Sequence, residues 1–251
     1  MANRPPRLPT STVTEASSID ERAAALPWER IATELDERGC AATGPLLSAG
    51  ECRDLAALYG QDPGFRKTVV MQRHAFGRGE YRYFDYPLPP LVQGLRHALY
   101  PQLATRANHW QTLLGEPASF PPTLAAWLDR CHAAGQTKPT PLLLHYGPDD
   151  YNCLHRDLYG DHVFPLQATV LLSEPEEDFS GGEFVLVEQR PRQQSVAEVV
   201  SLQQGEAVIF AVNRRPAKGT RGYYRGAMRH GVSRLHRGER YTLGIIFHDA
   251  A

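Results

Sequence analysis

PLLLHYGPDDYNCLHRD, residues 141–157, is where the texture of the chain changes. Leu142–Tyr146 is a short apolar run of strand type, and Gly147-Pro148 closes it as a turn. Comparable runs follow at 164–172, 183–187, 207–212 and 241–247. Turn residues separate them: Ser180-Gly181-Gly182, Gln204-Gly205 and Arg237-Gly238. Short strands at close spacing, with no helices between them, predict an antiparallel sandwich or jelly roll and not a doubly wound sheet. Gly181-Gly182 has the composition of a tight turn that requires positive φ.

Upstream of Gly135 the period is helical. Pro27 suits a first helical position, and Trp28, Ile31, Ala32 and Leu35 then recur on one face until Gly39. Ser48 and Glu51 have the spacing of a capping box, opening a helix with Cys52, Leu55, Ala56 and Tyr59 on one side. Further helices are expected at 90–100, 101–114 and 122–134, with Pro101 as a break. Trp110 and Trp127 on them are expected in the core. Residues 1–18, rich in Pro, Ser and Thr, read as a disordered tail. The expected organisation is α+β: one domain over 19–251, a mainly helical layer (19–135) packed on a β core (136–251).

Bulk properties narrow the class. With 251 residues and 42% hydrophobic content, a large core needs no covalent staple. Cys40, Cys52, Cys131 and Cys153 form no CxxC, which argues against a disulfide framework or a structural zinc site. The first residues lack a signal-type apolar stretch, and no run of about 18 apolar residues occurs, so a cytoplasmic protein without a membrane span is expected. Net charge is −1, so nucleic acid could be held only by a local basic patch.

The chemistry lies in His155-Arg156-Asp157, the only His-x-Asp or His-x-Glu pair in the chain. Residues i and i+2 of a strand point to one side, so such a pair can supply two ligands of a two-histidine, one-carboxylate iron site. Ten histidines and 28 acids yield about one such pair by chance, so the pair needs support. That support is His230, in the extended segment Met228-Arg229-His230-Gly231-Val232, and Arg240, ten residues later in an apolar strand. An arginine there is costly unless it pairs with an anion, and its fork matches a carboxylate. Thr242 lies on the same face.

His155, Asp157, His230 and Arg240, in a β-rich half, resemble the 2-oxoglutarate/Fe(II) dioxygenase superfamily with its double-stranded β-helix. Leu142–Tyr146 with Gly147-Pro148, followed by Leu154-His155-Arg156-Asp157, is similar to the AlkB type. The resemblance implies that His155, Asp157 and His230 bind Fe(II). It also implies that Arg240, with Tyr146 and Thr242, binds 2-oxoglutarate, with O₂ as the other co-substrate. Residues 20–251 further resemble a bacterial family of oxygenases for alkylated, damaged DNA, through Tyr151-Asn152-Cys153-Leu154-His155, Phe179-Ser180-Gly181-Gly182-Glu183-Phe184, the 188–195 stretch and Arg229-His230-Gly231-Val232-Ser233. This implies oxidative demethylation of a nucleobase, with single-stranded or damaged DNA as partner. Leu144 and Ile246 depart from AlkB, where an asparagine and a second arginine stand.

Residues 213–229 hold six basic groups, no acids and Tyr223-Tyr224. Arg221, Tyr223, Tyr224 and Arg225 there, with Arg190, are the expected substrate contacts; a solvated loop between strands is the alternative. Residues 71–86, rich in Arg and aromatics, suit a surface strand pair or a substrate lid. His145, His162, His236 and His248 are expected to be structural. Two other functions compete: a hydroxylase of a protein side chain or small metabolite using the same iron site, and a non-catalytic β-sandwich binding module.

Overall fold

The computed structural model describes residues 17–190 and 192–251. The disordered tail expected at 1–18 thus lies outside the described residues, apart from Ser17 and Ser18. Among the described residues there are five α-helices: α1 (Ile19–Ala24), α2 (Trp28–Arg38), α3 (Ala49–Ala57), α4 (Pro90–Leu113) and α5 (Leu124–Ala133). Both Ser18–Glu21 and Ser48–Glu51 form reciprocal capping boxes, and Gly39 ends α2 at φ 79°. The break expected at Pro101 is absent: α4 runs through it. Leu95, Leu99, Tyr100, Leu103 and Ala107 bury one continuous face, and that packing outweighs the lost backbone bond.

The strands are β1 (Cys40–Pro45), β2 (Phe65–Val70), β3 (Gly77–Arg78), β4 (Glu80–Phe84), β5 (Leu142–Tyr146), β6 (Tyr151–His155), β7 (Leu166–Leu171) and β8 (Phe179–Gly181). After these come β9 (Phe184–Gln189), β10 (Val196–Val200), β11 (Glu206–Ala211), β12 (Arg214–Gly219), β13 (Gly222–Val232), β14 (Leu235–Gly238) and β15 (Arg240–Ile246). One sheet has the order β1-β11-β7-β15-β5-β4-β2; the other runs β10-β9-β13-β6-β3, with β12 added on β13. This is the expected α+β jelly roll. Helices α3 and α4 pack on β15, and α2 packs on β1 and β11, so the helical layer covers the seven-stranded sheet. Strands β1 to β4 from the first half extend both sheets, which the helical period there did not reveal. Residues 71–86 form a 3-10 turn, β3 and β4, but the expected strand pair does not form: β3 pairs with β6 in one sheet, and β4 with β2 and β5 in the other. No helix among the described residues is long and apolar enough to cross a membrane.

Candidate active site

Strand pairing places His230 directly opposite His155, so both imidazoles leave the six-stranded sheet on its inner face. Asp157 follows just past the end of β6. One ligand atom from each of the three residues lies within 4.8 Å of the others. Each histidine Nε2 is 3.4 Å from a different oxygen of Asp157. His155 Nδ1 bonds the Cys153 carbonyl at 2.8 Å, which leaves Nε2 aimed at the centre. Burial alone raises the Asp157 pKa, but hydrogen bonds from His155 and His230 outweigh it and hold the carboxyl well below its usual range. Burial, then the charge on His155, pushes His230 down. His155 is lowered by burial and raised more by Asp157, ending above its ordinary value. Two imidazoles and one anion are a suitable donor set for a divalent transition metal.

A second layer holds the carboxylate. The Tyr159 hydroxyl donates to Asp157 Oδ1 at 2.8 Å, and the Tyr83 hydroxyl donates to Tyr159 at 3.0 Å. Burial, followed by the Asp157 charge, drives the Tyr159 pKa well up, so the phenol stays a donor.

Arg240 opens β15 opposite Tyr146 and is 3% exposed. Its Nε and Nη1 have no partner among the described residues. Burial lowers its pKa to about 10. Such a cation needs an anion, and its neighbours supply no carboxylate contact. Gly182, at φ +66°, leaves it room: a Cβ there would stand 3.0 Å from Arg240 Cδ. Gly181 shares the positive φ, as the turn chemistry predicted. Tyr146 is fully buried, and its hydroxyl accepts from Asn152 Nδ2 at 3.3 Å. Thr242, 2% exposed, stands two residues beyond Arg240 on the same face.

His155, Asp157, His230, Tyr146, Arg240 and Thr242 therefore line one cavity of about 180 Å³. Leu142, Leu144, Phe184 and Val232 form its apolar wall. Leu144 faces Thr242 across the strands, and Ile246 packs with Val69, Tyr83 and Leu142 instead of entering the cavity. Sequence reasoning missed Gln167, Asn152, Tyr159, Arg156 and Phe76, all lining the same cavity. Gln167 was detectable, because an amide inside the apolar run 164–172 needs a reason; its Oε1 is buried without a partner.

The expected substrate contacts lie elsewhere. The expected loop 213–229 is a hairpin, β12 and β13 joined at Thr220-Arg221. Arg190, Arg221, Tyr223 and Tyr224 line an open cleft of about 1080 Å³ that shares no lining residue with the first cavity. Arg225 pairs with Glu116 at 2.5 Å. The remaining histidines stay outside the cluster. His145 stacks on Tyr241 at 4.5 Å, His162 packs edge-on to Trp127, and His248 Nδ1 accepts from the Phe164 N–H at 3.3 Å. His236 is exposed. Trp110 and Trp127 are buried, and the four cysteines are free.

Residues 79–250 match the Oxygenase-NA family, described as "Oxygenase, catalysing oxidative methylation of damaged DNA". The chain belongs to this family. An uncharacterized protein of Mycobacterium tuberculosis, found in strains CDC 1551 / Oshkosh and H37Rv, is 50% identical over 168 residues, covering 67% of this chain and 72% of its own length. Among solved structures, a Pseudomonas putida prolyl-4-hydroxylase superposes with TM-score 0.54 at 18% identity, covering 86% of this chain and 96% of its own. SnoN, a non-heme alpha ketoglutarate dependent epimerase from nogalamycin biosynthesis, gives TM-score 0.51 at 15% identity, covering 86% of this chain and 81% of its own. These two likenesses establish the fold of this family member. The expected cofactors Fe(II), 2-oxoglutarate and O₂ agree with the oxygenase family, this jelly roll and the His-Asp-His cluster.

Proposed function

We propose that this family member is an Fe(II)- and 2-oxoglutarate-dependent dioxygenase that demethylates alkylated nucleobases in DNA. One observation carries the co-substrate half: the metal-type cluster and a buried arginine without an anion share one small cavity. His155, Asp157 and His230 would hold Fe(II), while Arg240, Tyr146 and Thr242 would hold the distal carboxylate of 2-oxoglutarate. When bound, the pair supplies oxidation of a substrate C–H bond coupled to conversion of 2-oxoglutarate and O₂ into succinate and CO₂.

The chain's own residues do the placing. Tyr159 fixes the Asp157 carboxylate, and the Cys153 carbonyl fixes the His155 ring. Arg240 binds through a charge-assisted fork, which sets the direction of the dicarboxylate. Leu142, Leu144, Phe184 and Val232 keep water from the reacting centre. A cavity of about 180 Å³ suits a small dicarboxylate and leaves the primary substrate at its mouth. There Phe76, 47% exposed and stacked on His74 at 5.4 Å, offers a ring on which a base can stack. The family description supports DNA as substrate. Hydroxylation of an N-methyl group gives a product that sheds formaldehyde and restores the base.

The test supplies enzyme, Fe(II) and 2-oxoglutarate with oxygen and a methylated single-stranded oligonucleotide. Succinate, formaldehyde and loss of one CH₂ per methyl from the oligonucleotide are expected. Succinate formed with the oligonucleotide unchanged would move the substrate to a protein side chain or metabolite.

A further inference from the structure

The outer face of the six-stranded sheet carries a concentration of positive charge next to the iron-type cavity. Residues directly opposite one another in a sheet share a face. Arg214 stands opposite Ala227, and Arg229 lies two residues along β13 from Ala227. Both arginines are exposed, and neither has a carboxylate partner among the described residues. Arg156, between His155 and Asp157 in sequence, lines the cavity, and its Nε donates to the Met228 carbonyl at 3.0 Å. That bond places its guanidinium against the strand that carries Arg229, and its Nη groups make no hydrogen bond among the described residues.

Like charges grouped without counter-ions cost stability unless a ligand neutralises them. The face is also uncovered: Leu154 is 44% exposed and Val199 60% exposed, and Ala197 is open to solvent. Arg190 and Arg215 of the open cleft differ, since both bond Glu188, and Arg225 on β13 bonds Glu116. Overall net charge is −1, so these three residues are a local feature and not a reflection of a basic chain.

We propose that Arg156, Arg214 and Arg229 form a phosphate track that carries the backbone of a single-stranded nucleic acid across the sheet to the cavity mouth. The track rests on the nucleobase reading above and assigns it a binding surface. Arg156 sits at the cavity and grips the phosphate nearest the target base. Arg229 and Arg214 hold the phosphates that lead away from it, while Phe76 stacks the base.

The experiment is a salt titration of oligonucleotide binding by the full-length protein, using fluorescein-labelled single-stranded DNA. For single strands, log K falls with log salt by about 0.7 per phosphate neutralised, so three contacts give a slope near −2. Arg214→Gln with Arg229→Gln should flatten the slope to about −0.7, and Arg214→Lys with Arg229→Lys should restore it. Both side chains are exposed and unpaired, so the melting curve of the glutamine variant should match that of the parent. Arg53→Gln with Lys67→Gln, exposed on other elements, removes the same charge and should keep the parent slope. If the parent binds DNA and the Arg214/Arg229 glutamine variant keeps its slope, the track is wrong and the nucleobase reading stands. If the parent binds polyglutamate as tightly as DNA, or binds no DNA, both are overturned.

Discussion

Two cavities, one enclosed and one open, hold the polar residues of this protein under opposite conditions. In the enclosed one, of about 180 Å³, buried groups lack partners: Arg240 Nε and Nη1, His230 Nδ1 and Gln167 Oε1. In the open cleft, of about 1080 Å³, buried Glu188 holds Arg190 at 2.9 Å and buried Arg215 at 3.1 Å, although Arg215 Nε has no hydrogen-bond partner among the described residues. A buried polar group without a partner costs free energy, whereas a buried group that meets an opposite charge recovers much of that cost. What sets the smaller cavity apart is a metal-type cluster and an unpaired arginine in one space, a combination that richness in Arg and Tyr does not supply.

The strongest way to break this contrast is Asp157→Ala. Succinate formation should fall to background, while the same assay on a cleft substitution should not; equal losses would erase the distinction. Next in size is Arg240→Met. Losing a charge-assisted fork should weaken 2-oxoglutarate binding by about 3 kcal/mol, roughly 100-fold, as read by calorimetry. The same substitution should raise the melting temperature of the ligand-free protein, because it removes a buried cation that has no partner. A lower melting temperature would mean that Arg240 is already satisfied within the fold.

Tyr159→Phe should act more gently. It removes the hydroxyl on Asp157 Oδ1 and should weaken Fe(II) binding about 10-fold in a metal titration. Unchanged affinity would show that Asp157 is positioned without it. Arg190→Gln is the smallest effect: Arg190 is partly exposed and buried Glu188 keeps Arg215 as a partner, so the loss of unfolding stability should be under about 1 kcal/mol. Oligonucleotide affinity should stay within about twofold, since Arg190 lies outside the phosphate track; a larger loss would return the substrate role to the cleft.

Much of this was legible in the sequence. The jelly roll followed from turn residues between short apolar runs. Three of the runs, at 142–146, 207–212 and 241–247, match β5, β11 and β15 to within about one residue at either end. Helix α3 followed from Ser48 and Glu51, because a capping box is a local event. Other elements were not legible. Strand β10 is exposed on most of its residues and carries no buried stripe. The short β3 is defined by its partner alone. Pro101 suggested a break that the packing of α4 overrides.

The sequence by itself determined the chemical kinds at the centre: His155, Asp157, His230 and an arginine, Arg240, stranded in an apolar run. Spacing along one strand, and the cost of burying an unpaired charge, are local facts that one chain segment can state. Only the tertiary structure decided which groups meet. It paired His155 with His230 across strands some 75 residues apart in sequence. It set Arg240 against Tyr146, brought Tyr83 to Tyr159, and turned the hairpin tyrosines into a separate cleft. Cross-strand register and sheet stacking are set by contacts distant in sequence, and no local pattern encodes which side chains they bring together.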